Sequence, residues 1–182
     1  MESVWSKTCA IPPRDALHGD VETEIAVIGA GMAGILTAAA LQKADRRVVV
    51  LEANRIGSGQ TRNTTAKITA QHALFARKLI AALGEDRAKQ YAAANLAAVR
   101  AYRDIIRSEH IDCDFEETNA FVYGEDLKRL EREAEAEARL GLPASLVRDP
   151  DVPSGAARGQ ACVPQHRLLD LSLVPCDGAR IL

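Results

Sequence analysis

The sequence predicts an α/β fold, and three observations carry that prediction. A short apolar run, Ile25 to Ile28, leads into Gly29, Gly31 and Gly34, which form a G-x-G-x-x-G array. A helical pattern continues through Leu41, and a second apolar run, Val48 to Leu51, follows it. Strand, turn, helix and strand within about 30 residues is the length of a parallel βαβ unit.

The glycine spacing fits a dinucleotide site. Gly29 permits a sharp turn off the strand, Gly31 lets backbone approach a pyrophosphate, and Gly34 lets helix and strand pack closely. Phosphates would then meet the free N–H groups at the helix N-terminus, where the macrodipole favours negative charge. Glu52 closes the second strand, where a carboxylate accepts hydrogen bonds from a ribose diol and repels a 2′-phosphate, which disfavours NADP.

Residues 1–22 read as an irregular arm punctuated by Pro12, Pro13 and Gly19, with Trp5 packing on the body of the protein. On the first helix Ile35, Leu36 and Leu41 stand among small residues, which let it sit close to a sheet, and Asp45 stands where such units often carry a helix-ending glycine. Asn54 to Gln71, rich in Gly, Ser, Thr and Asn, reads as a loop. Helices are expected over Ala73 to Leu83, ended by Gly84, and over Asp86 to Ser108. The second of these has a packing stripe of Ala88, Tyr91, Asn95, Val99, Tyr102 and Ile106.

Cys113 to Glu117 and Ala120 to Tyr123 read as two short strands joined by Thr118 and Asn119. Glu125 to Leu140 reads as a helix with Leu127, Leu130, Ala134 and Ala138 inward. Its charged residues, Glu133 and Glu137 among them, form a solvated face with pairs such as Glu135 with Arg139. A strand over Ser145 to Val147 and a turn over Asp149 to Pro153 follow; beyond Gly155 the signals blur, and Leu168 to Leu182 shows no secure element.

At 182 residues, 47% apolar and 26% charged, the chain fits a globular domain with or without part of a second one. A net charge of −2 gives no electrostatic footprint for nucleic acid. No apolar run is long enough to span a membrane, and the N-terminus has no secretory pattern. Cys9, Cys113, Cys162 and Cys176 show no metal-ligand spacing, so reduced thiols in a cytoplasmic protein are expected. His72, His110 and His166 have no visible catalytic partner, and no catalytic residue is assigned.

Taken together, Gly29 to Gly34, Glu52 and the run from Arg55 through Thr64, Thr65, Ala66 and Lys67 to His72 resemble the FAD-dependent oxidoreductases of the D-amino acid oxidase superfamily, in particular their glycine/amine oxidase-like branch. Ser3 to Trp5 and Ile111 to Phe115 are similar to that branch too. The resemblance implies a Rossmann-like FAD-binding βαβ domain with part of a second, substrate domain. The arm would cover 1–22, the FAD-binding part 23–110, the substrate-domain segment 111–160 and a divergent tail 161–182. It implies FAD, its ADP half on Gly29, Ala30, Gly31, Met32, Ala33 and Gly34, and its ribose on Glu52 beside Ala53. The pyrophosphate and flavin would fall to Gln60, Thr61, Thr65, Ala66 and Lys67. Neutral hydroxyl and N–H donors of this kind bind phosphate without trapping it in an ion pair.

The implied reaction is oxidation of the C–N bond of a small-molecule amine or amino acid, with hydride passing to the flavin. Lys67 is read either as a cation favouring reduced flavin or as a surface lysine. Members of the family are longer, and some carry a Rieske module whose ligand pattern is missing from this sequence. The likeness stops after Ala161, so a truncated or frame-altered product is expected. Alternatives that remain open are a non-catalytic ADP-binding fragment and an NAD-binding subunit.

Overall fold

A computed structural model of the chain describes residues 11–64, 66–113, 115–122, 124, 126–146, 157–164, 180 and 181. In chain order the elements are β1 (Ile25–Ile28), α1 (Met32–Lys43), β2 (Val48–Leu51), a 3₁₀ turn (Thr61–Asn63), β3 (Lys67–Ile68), α2 (Ala76–Leu83) and α3 (Glu85–Ser108). There follow β4 (Thr118–Val122), α4 (Leu127–Arg139), β5 (Ser145–Leu146), β6 (Ala157–Pro164) and β7 (Arg180–Ile181). They divide into two compact units: residues 1–65, 109–114 and 166–182 form the first, and 66–108 with 115–165 the second.

In the first unit the expected βαβ is present. β1 and β2 run parallel, Ile25 opposite Val48 and Ile28 opposite Leu51, and β7 adds a parallel strand on the far side of β2. β2 is therefore the middle strand, which accounts for three consecutive buried valines, Val48, Val49 and Val50. Among the described residues β1 is an edge strand that alternates half-buried and exposed residues, and Ile28 is 79% exposed. α1 buries Ile35 and Ala38. Its close seat depends on Gly34, where an added Cβ would lie 1.9 Å from the Gly29 carbonyl oxygen. Asp45, at φ +57°, takes the left-handed position just past the helix end, as its sequence position suggests. The tail expected to hold no element contributes β7, whose partner lies far away in the sequence.

The second unit packs three helices with an antiparallel sheet in the order β3, β6, β4, and β5 also pairs with β6. Its core is built from Ala70, Ala76, Ala88, Ala92, Ala136, Leu140 and Leu142, with Phe75, Leu79, Ile80, Leu96 and Val99 against them. Alanines at the contacts let the helix backbones approach closely. α2 starts at Ala76 because Ala73 sits at φ +56°, outside the right-handed helical region. α3 faces the core with Ala88, Ala92, Leu96 and Val99, so Tyr91 is 40% exposed and meets the unit through its ring, 6.2 Å from that of Phe75. Tyr102 is half-buried, and burial raises its phenol above the ordinary range.

Instead of two strands and a turn, residues 118–122 form one strand with Thr118 and Asn119 inside it, and 115–117 are irregular. The strand pairs with distant β6, with a register shift between Asn119 and Phe121, so that partner rather than a local hairpin sets its limits. β3 lies within what the composition marks as loop, and β6, the middle strand, lies where the sequence signals blur.

α4 is capped by Asp126, whose carboxylate accepts from the Arg129 N–H at 3.0 Å. Its polar face is not wholly solvated: Glu133 and Glu137 are buried, whereas Ala138, expected inward, is exposed. The stripe Leu130, Glu133, Ala134, Glu137, Leu140 has helical spacing, so position on the helix outweighed charge. Arg139 pairs with Glu85 rather than with Glu135, and Glu85 also meets Lys89 at 2.8 Å. Trp5, Thr65, Tyr123, Glu125, Val147, the 149–153 turn and His166 lie outside the described residues.

Candidate cofactor site

In the first unit the end of β1 is tied to the end of β2 by a chain of short bonds. The Gly29 N–H donates to the Leu51 carbonyl at 2.7 Å, the Ala30 N–H to Glu52 Oε2 at 2.8 Å, and the Gly57 N–H to the Ala30 carbonyl at 2.8 Å. Gly29 reaches this position at φ +96°, a conformation that side chains rarely tolerate. The Asn54 N–H donates to Glu52 Oε1 at 2.9 Å. These N–H groups, Ala30 first and Asn54 second, hold the Glu52 carboxyl below the ordinary carboxylate range. An ionised carboxylate offers about four lone-pair positions, so the backbone donors at Ala30, Asn54 and Ala53 still leave room for a ribose hydroxyl.

The start of α1 faces the same loop. Gly31 caps it in an extended conformation and provides no side-chain bond. The Thr61 hydroxyl, carried in by the 3₁₀ turn, accepts from the Met32 N–H at 3.0 Å, and a Cβ on Gly31 would stand 3.2 Å from that oxygen. The Ala33 and Gly34 N–H groups belong to the first helical turn, which has no intrahelical acceptor, at the positive end of the dipole. A glycine-lined approach, first-turn donors, a hydroxyl and a carboxylate set back on the neighbouring strand make a donor set that suits a dinucleotide.

Gly29 to Gly34, Glu52 and Thr61 are thus brought together in the first unit. Ala53 and Gln60 are exposed on its loop, and Gln60 opens the 3₁₀ turn, its carbonyl accepting from Asn63 N at 3.0 Å. Ala66 and Lys67 belong to the second unit. Ala66 is buried at φ +55°, and Lys67 opens β3 with its side chain exposed. The sequence reading missed Asn54 and Gly57, which act through backbone N–H groups and so leave no side-chain signature. It also missed a buried polar network in the second unit. Gln71 Nε2 donates to both carboxylate oxygens of Glu137, at 3.0 and 3.1 Å, and Glu133 accepts from the Ala76 N–H at 2.5 Å. The helical spacing of Glu133 and Glu137 on the apolar stripe was the signal that could have revealed it.

His72 is exposed and meets the Phe75 ring edge-on at 5.6 Å, and His110 closes a turn at φ +52°. Among the described residues no helix is long and apolar enough to cross a membrane.

Two curated relatives match most of the chain. YhfW of Bacillus subtilis (strain 168), named as a Rieske 2Fe-2S iron-sulfur protein, is 35% identical over 85% of this chain. The gamma-glutamylputrescine oxidoreductase of Escherichia coli (strain K12) is 29% identical over 71%. The chain spans 31% of the length of each. Among solved structures, L-amino acid deaminase from Proteus myxofaciens superposes with a TM-score of 0.67 at 16% identity, covering 92% of this chain and 40% of that one. Glycine oxidase from Geobacillus kaustophilus gives 0.63 at 17% identity, covering 88% and 46%. At such identities these likenesses speak for the fold. The family model described as FAD dependent oxidoreductase matches residues 24–167, the greater part of the sequence, and the chain belongs to that FAD-dependent family.

Proposed function

We propose that the chain contributes the cofactor-binding end of an FAD-dependent oxidoreductase that oxidises the C–N bond of a small amine or amino acid. FAD, when bound, supplies the hydride acceptor. In this reading the residues at 29–34 receive the ADP pyrophosphate, Glu52 and Ala53 the ribose, and Gln60, Thr61, Thr65, Ala66 and Lys67 the pyrophosphate and flavin. Residues 111–160 belong to the substrate-binding part. The observation that carries the proposal is the Glu52 carboxylate, fixed at 2.8 Å from the Ala30 N–H with lone pairs to spare beside the open first turn of α1. Family membership favours FAD over NAD in that place. The amine or amino acid class is supported by what the relatives and structural neighbours are named for, namely gamma-glutamylputrescine, glycine and L-amino acids. A cytoplasmic location is part of the same reading.

A second reading is a non-catalytic nucleotide-binding piece. It is favoured by the first unit, which by itself assembles Gly29 to Gly34, Glu52 and Thr61. Purifying the chain and recording its absorption spectrum and bound cofactor separates the two. Yellow protein that releases FAD on denaturation is expected. Colourless protein that takes ADP but not FAD would support the second reading, and uptake of NADH would support an NAD-binding subunit.

A further inference from the structure

The polar network buried in the second unit has no role in the reading above. Glu133 and Glu137 stand four residues apart on one face of α4 and are 4% and 2% exposed. Among the described residues neither is ion-paired with a cation. Buried carboxylates are expensive to desolvate, and apolar side chains of similar size often give a more stable protein. A general contribution to stability therefore does not explain them, and what they hold is more informative.

Both act on one short stretch. Glu137 binds the Gln71 side chain through both oxygens, and Glu133 binds the backbone N–H of Ala76, the first residue of α2. Between these anchors Ala73 is left-handed at φ +56°, and Ala66, just ahead of β3, is left-handed at φ +55°. Non-glycine residues in this region are strained and persist when their surroundings over-determine the backbone. Further local order comes from Thr69, whose hydroxyl accepts from the Gln71 N–H at 3.0 Å, and from Ala70, which is fully buried. Lys67 is thus four residues from an anchored glutamine on a two-residue strand with little pairing of its own.

We propose that Glu137 is a positioning residue for the cofactor-contacting segment at 66–71, clamping it through Gln71 while Glu133 fixes its exit into α2. The inference rests on the reading that Ala66 and Lys67 contact FAD. Its test combines hydrogen exchange of the amides at 67–71 with the affinities of the full chain for FAD and for ADP. Glu137→Leu removes the acceptor, Gln71→Met removes the donor, and Glu137→Gln keeps one acceptor oxygen.

Loss of a buried hydrogen bond to a charged group predicts exchange about tenfold faster at 67–71 in Glu137→Leu. FAD affinity should fall about tenfold while ADP affinity stays within about twofold, because the ADP contacts lie in the first unit. Gln71→Met should behave in the same way and serves if Glu137→Leu does not fold, whereas Glu137→Gln should resemble the wild type. Unchanged exchange, equal weakening of FAD and ADP, or a Glu137→Gln as defective as Glu137→Leu overturns the proposal. A wild-type chain that binds ADP and rejects FAD overturns the flavin-contact reading instead, and the exchange measurement still decides whether the clamp exists.

Discussion

The two units are held in place by different means. The first is organised by backbone: among the described residues, three short parallel strands, a helix seated against a glycine, and a loop fixed by N–H donors. Side chains matter there chiefly by being absent, as at Gly31 and Gly34, or by receiving backbone bonds, as at Glu52 and Thr61. The second is organised by side chains: alanine contacts between helices, and two buried carboxylates that reach residues 57 and 66 positions away in sequence. A site that must admit phosphate close to its backbone gains from the first arrangement. A segment that must be held in a strained path gains from the second.

The sharpest test of this contrast is Gly34→Ala. With its Cβ 1.9 Å from the Gly29 oxygen, either α1 or the glycine loop must move, and we expect a loss of about 3 kcal/mol in the stability of the first unit together with loss of nucleotide binding. Chemical denaturation followed with and without ADP measures it, and a variant of unchanged midpoint would remove the backbone argument.

Next in size is a pH effect confined to the second unit. Burial, opposed by the Gln71 bond and aided by the charge of Glu133, pushes Glu137 from 4.5 up to about 6. The folded state thus holds this proton more tightly than the unfolded chain, so the contribution is complete below pH 4.5 and is lost as pH rises through about 6. The expected loss is on the order of 2 kcal/mol. Thermal denaturation between pH 4.5 and 7.5 should show the slope in the wild type and a flatter profile in Glu137→Gln; equal slopes would sink the assignment to Glu137.

The smallest expected effect is at Ala73. Relief of a left-handed alanine, offset by the greater freedom of unfolded glycine, predicts that Ala73→Gly stabilises by about 0.5–1 kcal/mol. Destabilisation would show that the 71–76 path is set by the Ala73 side chain rather than by its anchors.

The same contrast explains what could be read from the sequence. β1, α1, β2 and the glycine loop were legible because their determinants are local: apolar runs, glycine spacing and a carboxylate at a strand end. β6 and β7 were not, because a strand of ordinary composition becomes one only when a distant partner offers its edge. Thr118 and Asn119 read as a turn for the same reason. Glu133 and Glu137 read as solvated because charge is a strong prior for exposure, and only their spacing with Leu130 and Leu140 speaks against it. Tyr91 is next to Ala92, the residue that faces the core, so a stripe drawn one residue out of phase takes in Tyr91 instead.

Glu52 and Glu137 are opposites as titrating groups. The backbone N–H groups that hold Glu52 keep it negative well into mild acid, whereas Glu137 gains its proton near pH 6. In a ribose site, the carboxylate that receives the hydroxyls would therefore keep its own charge across the very pH range in which the second unit changes its charge. The ribose contact and segment positioning would answer to acidity separately, so a pH titration of FAD binding, whose pyrophosphate does not titrate near pH 6, can distinguish one unit from the other without any mutation.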